Sequence, residues 1–302
     1  MCDRLIIMTS PNGLPPAPPT APPERSLPPL RLNGRDLGRF AIMAVVNRTP
    51  DSFFDRGATY GFDAALAAVD KAVQEGADII DIGGVKAGPG QVVDVAEELR
   101  RVVDLVAAVR ERHREIVISV DTWRAEVGRE VAAAGADLLN DTWGGPDPRL
   151  AEVAAEHGIG LVCAHAGGLE PRTRPHRIAY DDVMADVLAH VTAEAERASA
   201  LGVRRDAIMI DPAHDFGKNT RHSLEITRRL DEMAATGWPV LVAVSNKDFI
   251  GETLGQPVEK RGVGTMAVLG VSAWLGARVF RVHDVAGTRD ALAAVTALSG
   301  RP

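Results

Sequence analysis

Short apolar runs alternate with longer amphipathic stretches along most of the chain. The runs are AIMAVVN (41–47), DIIDIG (78–83), EIVISVD (115–121), DLLND (137–141), GLVCAH (160–165), AIMID (207–211), PVLVAVS (239–245) and RVFRVHD (278–284). They are rich in Val and Ile and apolar on both faces, which is how parallel strands buried by flanking helices read. Helical spacing fills the gaps: Phe62–Glu75, Val93–Arg112, Trp123–Ala134, Arg149–His157, Tyr180–Leu201, Thr220–Thr236, Val258–Leu275 and Gly287–Leu298. Several of these end at Gly, in EGAD, AGAD, HGIG, TGWP and LGAR, and a Gly past a helix end takes the left-handed cap conformation cheaply. Eight strand–helix units over about 250 residues predict an α/β fold, a (β/α)8 TIM barrel. The competing reading is an open doubly wound sheet. No Gly-x-Gly-x-x-Gly follows the first strand, which favours the barrel.

The first 38 residues differ in kind. Nine of the 19 prolines fall between Pro11 and Pro29. Proline lacks an amide donor and fixes its own backbone angle, so this run predicts a disordered Pro-rich leader over 1–38. Its PxxP spacings also suit an aromatic-grooved adaptor domain. The remainder, 39–302, reads as one barrel domain. Lys and Arg total 34 against 41 Asp and Glu, a formal charge of −7, which argues against a general nucleic-acid binder. No apolar run reaches the roughly 18 residues a bilayer span needs, and no signal-peptide core is evident. With only Cys2 and Cys163 present, a disulfide framework and a Cys-based zinc site are excluded. A cytoplasmic protein that meets neither membrane nor nucleic acid is expected.

In such barrels the chemistry sits at the C-terminal mouths of the strands. Those positions hold Asn47, Asp81, Asp121, Asn140 with Asp141, His165, Asp211, then Ser245, Asn246 and Lys247, then Arg281, His283 and Asp284. One polar strand end needs no function, because loops begin there. A ring of them around one mouth points to a polar site. Asp121, Asn140 and Asp211 can accept hydrogen bonds from the edge of an amino-heterocycle, and Lys247 can donate to a ring carbonyl or nitrogen. Asn47, Arg281 and His283 lie on the first and last strands, which are neighbours in a closed barrel. An Arg-x-His pair beside an Asn suits a phosphate with a divalent cation. The residues thus suggest a polar bicyclic ring deep in the barrel and a phosphate near its rim.

A zinc site from His165, His214 and His283 is the metal-only alternative, but no HExxH or His-x-His on the first strand supports it. The remaining histidines, His113, His157, His176, His190 and His222, read as solvated. Trp238 and Trp274 read as packing, whereas Trp123 and Trp143 follow strand ends and are candidates to border the pocket.

The motifs NRTPDSFFDRG (47–57), DIGG (81–84), SVDT (119–122), NDTWGG (140–145), IDPAHDFGK (210–218), SNK (245–247) and RVHDV (281–285) resemble, in order and spacing, the motif series of dihydropteroate synthase. The resemblance covers nearly all of 40–302. It implies a (β/α)8 barrel, a homodimer, and the joining of 6-hydroxymethyl-7,8-dihydropterin pyrophosphate to p-aminobenzoate with Mg2+ and loss of pyrophosphate. By the same resemblance Asp121, Asn140, Asp211 and Lys247 hold the pterin, and Asn47, Arg281 and His283 bind the pyrophosphate, with Asn47 on the metal. Lys247, Arg281 and His283 are then the catalytic candidates. Such a reaction needs positioning and electrostatics rather than a protein nucleophile.

The departures from that family cluster. Where it has Gly-Gly-Glu-Ser-Thr-Arg-Pro-Gly, this chain has Gly83-Gly84-Val85-Lys86-Ala87-Gly88-Pro89-Gly90. Ser-Arg-Lys-Ser becomes Ser245-Asn246-Lys247-Asp248, so an arginine is lost and a carboxylate appears. Arg48 and Phe54 stand where Val and Ser are usual, Met-His-Met becomes Ala164-His165-Ala166, and DPAHDFGK introduces His214 and Asp215. The ring-binding set is intact while the loops serving the second substrate are altered. Three readings follow: a working synthase with unusual loops, a transferase with a different acceptor amine, and a pterin-binding pseudoenzyme with a regulatory role. A folate-dependent methyltransferase would share the barrel but not need the Asn47/Arg281/His283 set.

Overall fold

The computed structural model describes residues 27–49, 59–173 and 179–299. Eight parallel strands lie side by side in the order β8-β7-β6-β5-β4-β3-β10-β9. They are β3 (Ala41–Asn47), β4 (Ile79–Gly83), β5 (Val117–Asp121), β6 (Leu138–Asp141), β7 (Gly160–Ala164), β8 (Ile208–Asp211), β9 (Leu241–Val242) and β10 (Val279–Val282). A parallel bridge between Ile210 and Val240, with Ile210 N donating to Pro239 O at 2.9 Å, joins β8 to the segment entering β9. The sheet therefore closes on itself, and the open doubly wound alternative falls. Every strand is followed by a helix, so this is a (β/α)8 barrel.

Side chains alternate across each strand with a period of two. Ile80, Ile82, Ile118, Val120, Leu139, Ile208, Ile210, Val242, Phe280 and Val282 face outward into a core shared with the helices. The inward positions form a second, smaller core of Met43, Ile79, Val117, Leu138, Val162, Met209, Leu241 and Val279 at the N-terminal end. Two residues further along the same strands, the inward positions become Val45, Asp81, Ser119, Asn140, Ala164, Asp211, Ala243 and Arg281. The barrel interior is thus apolar below and polar above, and the polarity change falls where the strands approach the mouth.

The apolar end is plugged by a segment the sequence reading placed in the leader. Strands β1 (Arg31–Leu32) and β2 (Arg35–Asp36) pair antiparallel, and Leu30, Leu32 and Leu37 join the inner core. Asn33 Nδ2 and Arg35 Nη1 donate to the carbonyls of Arg114 and Glu115 at 3.2 and 2.8 Å, and the Arg278 guanidinium holds Gly38 O. The boundary expected at 38 is therefore too late. Leu30 and Leu32 from one arm of the hairpin and Leu37 from the other close the barrel floor, and their burial outweighs the proline bias of the residues before them. Residues 1–26 of the leader, with Cys2, lie outside the described residues.

Two helical stretches also differ from expectation. Thr220–Thr236 divides into α6 (Thr220–Arg228) and α7 (Leu230–Ala234) at Arg229, whose guanidinium holds Asp182, Glu225 and Glu232. A short helix not foreseen, α8 (Asp248–Leu254), precedes α9 (Gly262–Trp274). The ninth strand pairs over two residues rather than the seven of PVLVAVS, and the chain turns just beyond Ser245, where Asn246 adopts a left-handed φ of 57°. Among the described residues no helix is long and apolar enough to cross a membrane.

Candidate functional site

Asp81 is fully buried at the centre of the polar half of the barrel. It accepts from Ser119 Oγ at 2.6 Å, Asn140 Nδ2 at 3.2 Å and Arg281 Nε at 2.6 Å, three donors from three strands. The other end of the Arg281 guanidinium reaches Asp121 at 3.1 Å, and Asp121 also accepts from Thr142 Oγ1 at 2.9 Å. Burial pushes the Asp121 carboxyl up to about 7; Arg281 opposes that shift and the neighbouring Asp81 charge adds to it. Asp211, also buried, accepts from Ala213 N at 2.7 Å, and burial raises its pKa against the pull of Lys247 and Lys218.

A cavity of about 280 Å³ opens above this network. Asn47, Asp121, Lys247, Arg281 and His283 line it, together with Thr142, Ser245, Phe216 and the rim residues Val85, Lys86, Ala87, Gly88, Asp215 and Asp248. Five of the seven residues expected at the site thus meet in one space. Asn140 and Asp211 stand behind its wall, Asn140 through its bond to Asp81. The Asn47 carboxamide oxygen lies against Gly83, where a Cβ would come within 2.9 Å of it and push the carboxamide aside. His283 Nδ1 shares a 3.0 Å hydrogen bond with Ser245 Oγ. The Lys247 ammonium donates to His214 O and lies 4.6 Å from the Phe216 ring centroid. Burial lowers its pKa, with Asp215 and Asp211 acting the other way.

Arg281 lines the same cavity as Asn47 and His283, at a deeper level. The sequence groups it with His283 for a phosphate near the rim. Inward-facing positions are two residues apart, so Arg281 sits one step deeper than His283, and its guanidinium bridges Asp81 and Asp121. Asp81, Ser119 and Thr142 are the residues given no site role from the sequence. Stepping inward by two from Ile79 and Val117 finds the first pair.

The rim departs from the family pattern in structure as well. Asn246 is buried and turned from the cavity; its backbone N–H donates to Thr265 Oγ1 on α9 at 3.0 Å, and its side-chain Oδ1 accepts from the same hydroxyl at 3.4 Å. Asp248 forms an ion pair of 2.8 Å with Arg261, which also donates to Asn246 O at 2.9 Å. Asp215, at a left-handed φ of 67°, accepts from Ser223 Oγ at 3.0 Å and from Phe249 N at 3.3 Å. Arg172 reaches across to the carbonyls of Gly88 and Gln91. Arg48 is spent on the carbonyls of Tyr60 and Arg101, so its role is to fasten the first loop. Phe54 lies outside the described residues.

His165, His214 and His283 do not gather into one site. His165 is buried beside Asp186, with Nε2 at 2.7 Å from Oδ1, and His214 stacks on Phe249 and meets Thr227 at 3.1 Å. Among the described residues no three His, Cys, Asp or Glu side chains are placed to hold a metal ion. His190, read as solvated, instead packs against His165 with a buried Nε2. Lys218 is buried and donates to the carbonyls of His165, Phe216 and Ala213 at 2.6, 2.8 and 3.3 Å, so it shapes the loop after β8; burial lowers its pKa to about 7. Trp143 is edge-on to Phe216 at 5.1 Å, and both line a second cavity of about 140 Å³ with Ala87, Gly88, Pro89, Thr173, Asp215 and Gly217. Trp123 carries the Arg124 guanidinium at 4.6 Å and is absent from both cavity walls.

A closed barrel with a polar, cationic and acidic pocket at its strand ends defines a class of small-molecule-binding TIM-barrel proteins. Residues 43–283 match the family described as pterin binding enzymes. The chain is 56% identical over 266 residues to a Mycobacterium leprae protein named inactive dihydropteroate synthase 2, covering 87% of this chain and 91% of that one. It is 39% identical over 258 residues to the dihydropteroate synthase of Haemophilus influenzae, covering 85% and 93%. Xanthomonas albilineans dihydropteroate synthase, solved with 4-aminobenzoic acid, superposes with a TM-score of 0.82 at 36% identity, covering 92% of this chain and all of that one. The chain belongs to the dihydropteroate synthase family of pterin-binding enzymes.

Proposed function

We propose that this protein binds 6-hydroxymethyl-7,8-dihydropterin pyrophosphate in the barrel cavity, and that its transfer of the pterin to p-aminobenzoate is weak or lost. The observation that carries this is the contrast at Asn246 and Asp248: the first is turned into α9 and the second holds Arg261. No arginine is then left facing a carboxylate acceptor from that segment. The name borne by the Mycobacterium leprae relative points the same way.

In this reading Asp121, Asn140, Asp211 and Lys247 recognise the pterin, Asp121 and Lys247 from the cavity wall and the other two from behind it. A carboxylate against an N–H/NH2 edge makes a bidentate contact. Asn47 and His283 face the pyrophosphate, with Arg281 beneath them between the two ligand parts. Asn47 offers one hard oxygen on the wall, which fits a Mg2+ held mainly by pyrophosphate oxygens. Bound there, Mg2+ would neutralise charge on the departing pyrophosphate. A cytoplasmic homodimer remains part of the proposal; exposed Val263 and Val271 on α9 are apolar surface a second copy would cover.

Calorimetry with the pterin pyrophosphate, beside an assay of pyrophosphate release with p-aminobenzoate and Mg2+, tests this. Binding with little or no release is expected. Turnover at ordinary enzyme rates would overturn the loss of activity. Asp211→Asn and Lys247→Ala should each abolish pterin binding, and retained affinity in both would refute the pocket assignment.

A further inference from the structure

We propose that Lys86 meets the diphosphate in this chain, supplying from position 86 the positive charge that the family pattern places in an arginine at 88. This rests on the reading that the main cavity holds the pterin pyrophosphate. Gly88 is not among the glycines with a positive φ, so its backbone does not call for glycine. Beyond its chain neighbours, the one atom within 4 Å of where a Cβ on Gly88 would stand is Lys86 Cε, at 3.7 Å. The space that a side chain at 88 would enter is therefore bordered by the Lys86 stem, and the ammonium beyond it belongs to the cavity wall.

The loop that carries Lys86 is fastened through its backbone. Arg48 N donates to Gly83 O at 2.7 Å, Arg101 Nη1 to Gly84 O at 2.9 Å, and Arg172 Nη1 to Gln91 O at 2.5 Å. Strands β4, β3 and β10 are successive neighbours in the sheet, so Lys86, Asn47 and His283 follow one another around a single arc of the mouth. Among the described residues three Lys or Arg side chains line this cavity: Lys86, Lys247 and Arg281. Two of them lie among carboxyl groups. Arg281 bridges Asp81 and Asp121, and Lys247 feels the charges of Asp215 and Asp211. A diphosphate placed over those carboxyls needs a cation from the rim side, and Lys86 stands there. Its ammonium is a compact charge on a flexible stem, able to follow phosphate oxygens without the fixed fork of an arginine.

Magnesium pyrophosphate, 6-hydroxymethyl-7,8-dihydropterin, the pterin pyrophosphate and 4-aminobenzoate are each titrated into the full chain by calorimetry. Lys86→Ser is expected to weaken both diphosphate ligands at least tenfold and to leave dihydropterin affinity within twofold. Two variants restore a cation: Lys86→Arg, and Lys86→Ser combined with Gly88→Arg. At least one should bring diphosphate affinity back to within threefold of wild type, and failure of both overturns the proposal. An equal loss of dihydropterin binding in Lys86→Ser also overturns it, because that marks a merely structural role. So does weaker 4-aminobenzoate binding with magnesium pyrophosphate unchanged, which would set Lys86 against an acceptor instead. Pterin pyrophosphate affinity that Lys86→Ser leaves intact overturns this inference alone. A wild-type chain that binds magnesium pyrophosphate through Lys86 but not the dihydropterin supports the role of Lys86 and overturns the function proposed above.

Discussion

Asp81 in the floor of the cavity is reached by Ser119, Asn140 and Arg281, which come from three strands up to 200 residues away. At the rim, Asp248 meets Arg261 thirteen residues on, and Asp215 meets Ser223 eight residues on. The floor is a fully buried network in which each group satisfies several others, so removing one leaves a partner unpaired in a low-dielectric interior. These two rim pairs are local, though Phe249 N adds a longer-range bond to Asp215 and Arg172 one to the backbone of Gly88, and Asp248 is 63% exposed. A floor of this kind tolerates few substitutions, whereas rim loops can exchange an arginine for Asn246 or a serine for Asp248 without disturbing the barrel. That difference lets the rim sequence vary while the buried floor stays fixed.

The contrast is broken most directly at Arg281. Arg281→Met strands the buried Asp81 charge and should cost about 3–5 kcal/mol of stability in urea unfolding. A cost below about 1 kcal/mol would show that the floor is not a coupled network. A second probe is pH. Burial, reinforced by Lys218, holds His165 neutral with its pKa lowered to about 4 from 6.5. The unfolded chain takes up that proton near 6.5 and the folded chain only near 4. This stabilisation is therefore complete above pH 6.5 and is lost as pH falls from 6.5 towards 4. Asp141, pushed up to about 7 by burial, slopes the opposite way in the same window. The informative quantity is consequently the difference between wild type and His165→Gln, which should change by on the order of 2–3 kcal/mol across it. A flat difference curve would remove His165 from the buried layer. The smallest effect belongs to the rim. Asp248→Ser should alter stability by less than about 1 kcal/mol, and a larger loss would mean that rim and floor are not separate.

Much of the architecture is legible in the sequence because buried parallel strands are apolar on both faces and their ends meet loops. The runs beginning at Ala41, Asp78, Glu115 and Asp137 needed no partner to be recognised. The segment 27–38 was missed because a proline-rich run masked three leucines whose value appears only against the barrel's open end. Helix α8 was missed because seven residues are too few for a helical stripe to register.

By itself the sequence determined which positions alternate inward along each strand, and therefore that polar groups such as Asn47, Asp121 and His283 crowd one mouth. Strand period is a local property of the backbone. Only the tertiary structure decided that Arg281 bridges Asp81 and Asp121, that Asn246 turns to Thr265, and that Asp215 meets the start of α8. Those outcomes depend on which charges closure of the barrel brings within hydrogen-bond reach, and on the left-handed turns at Asp215 and Asn246 that aim the loops between them.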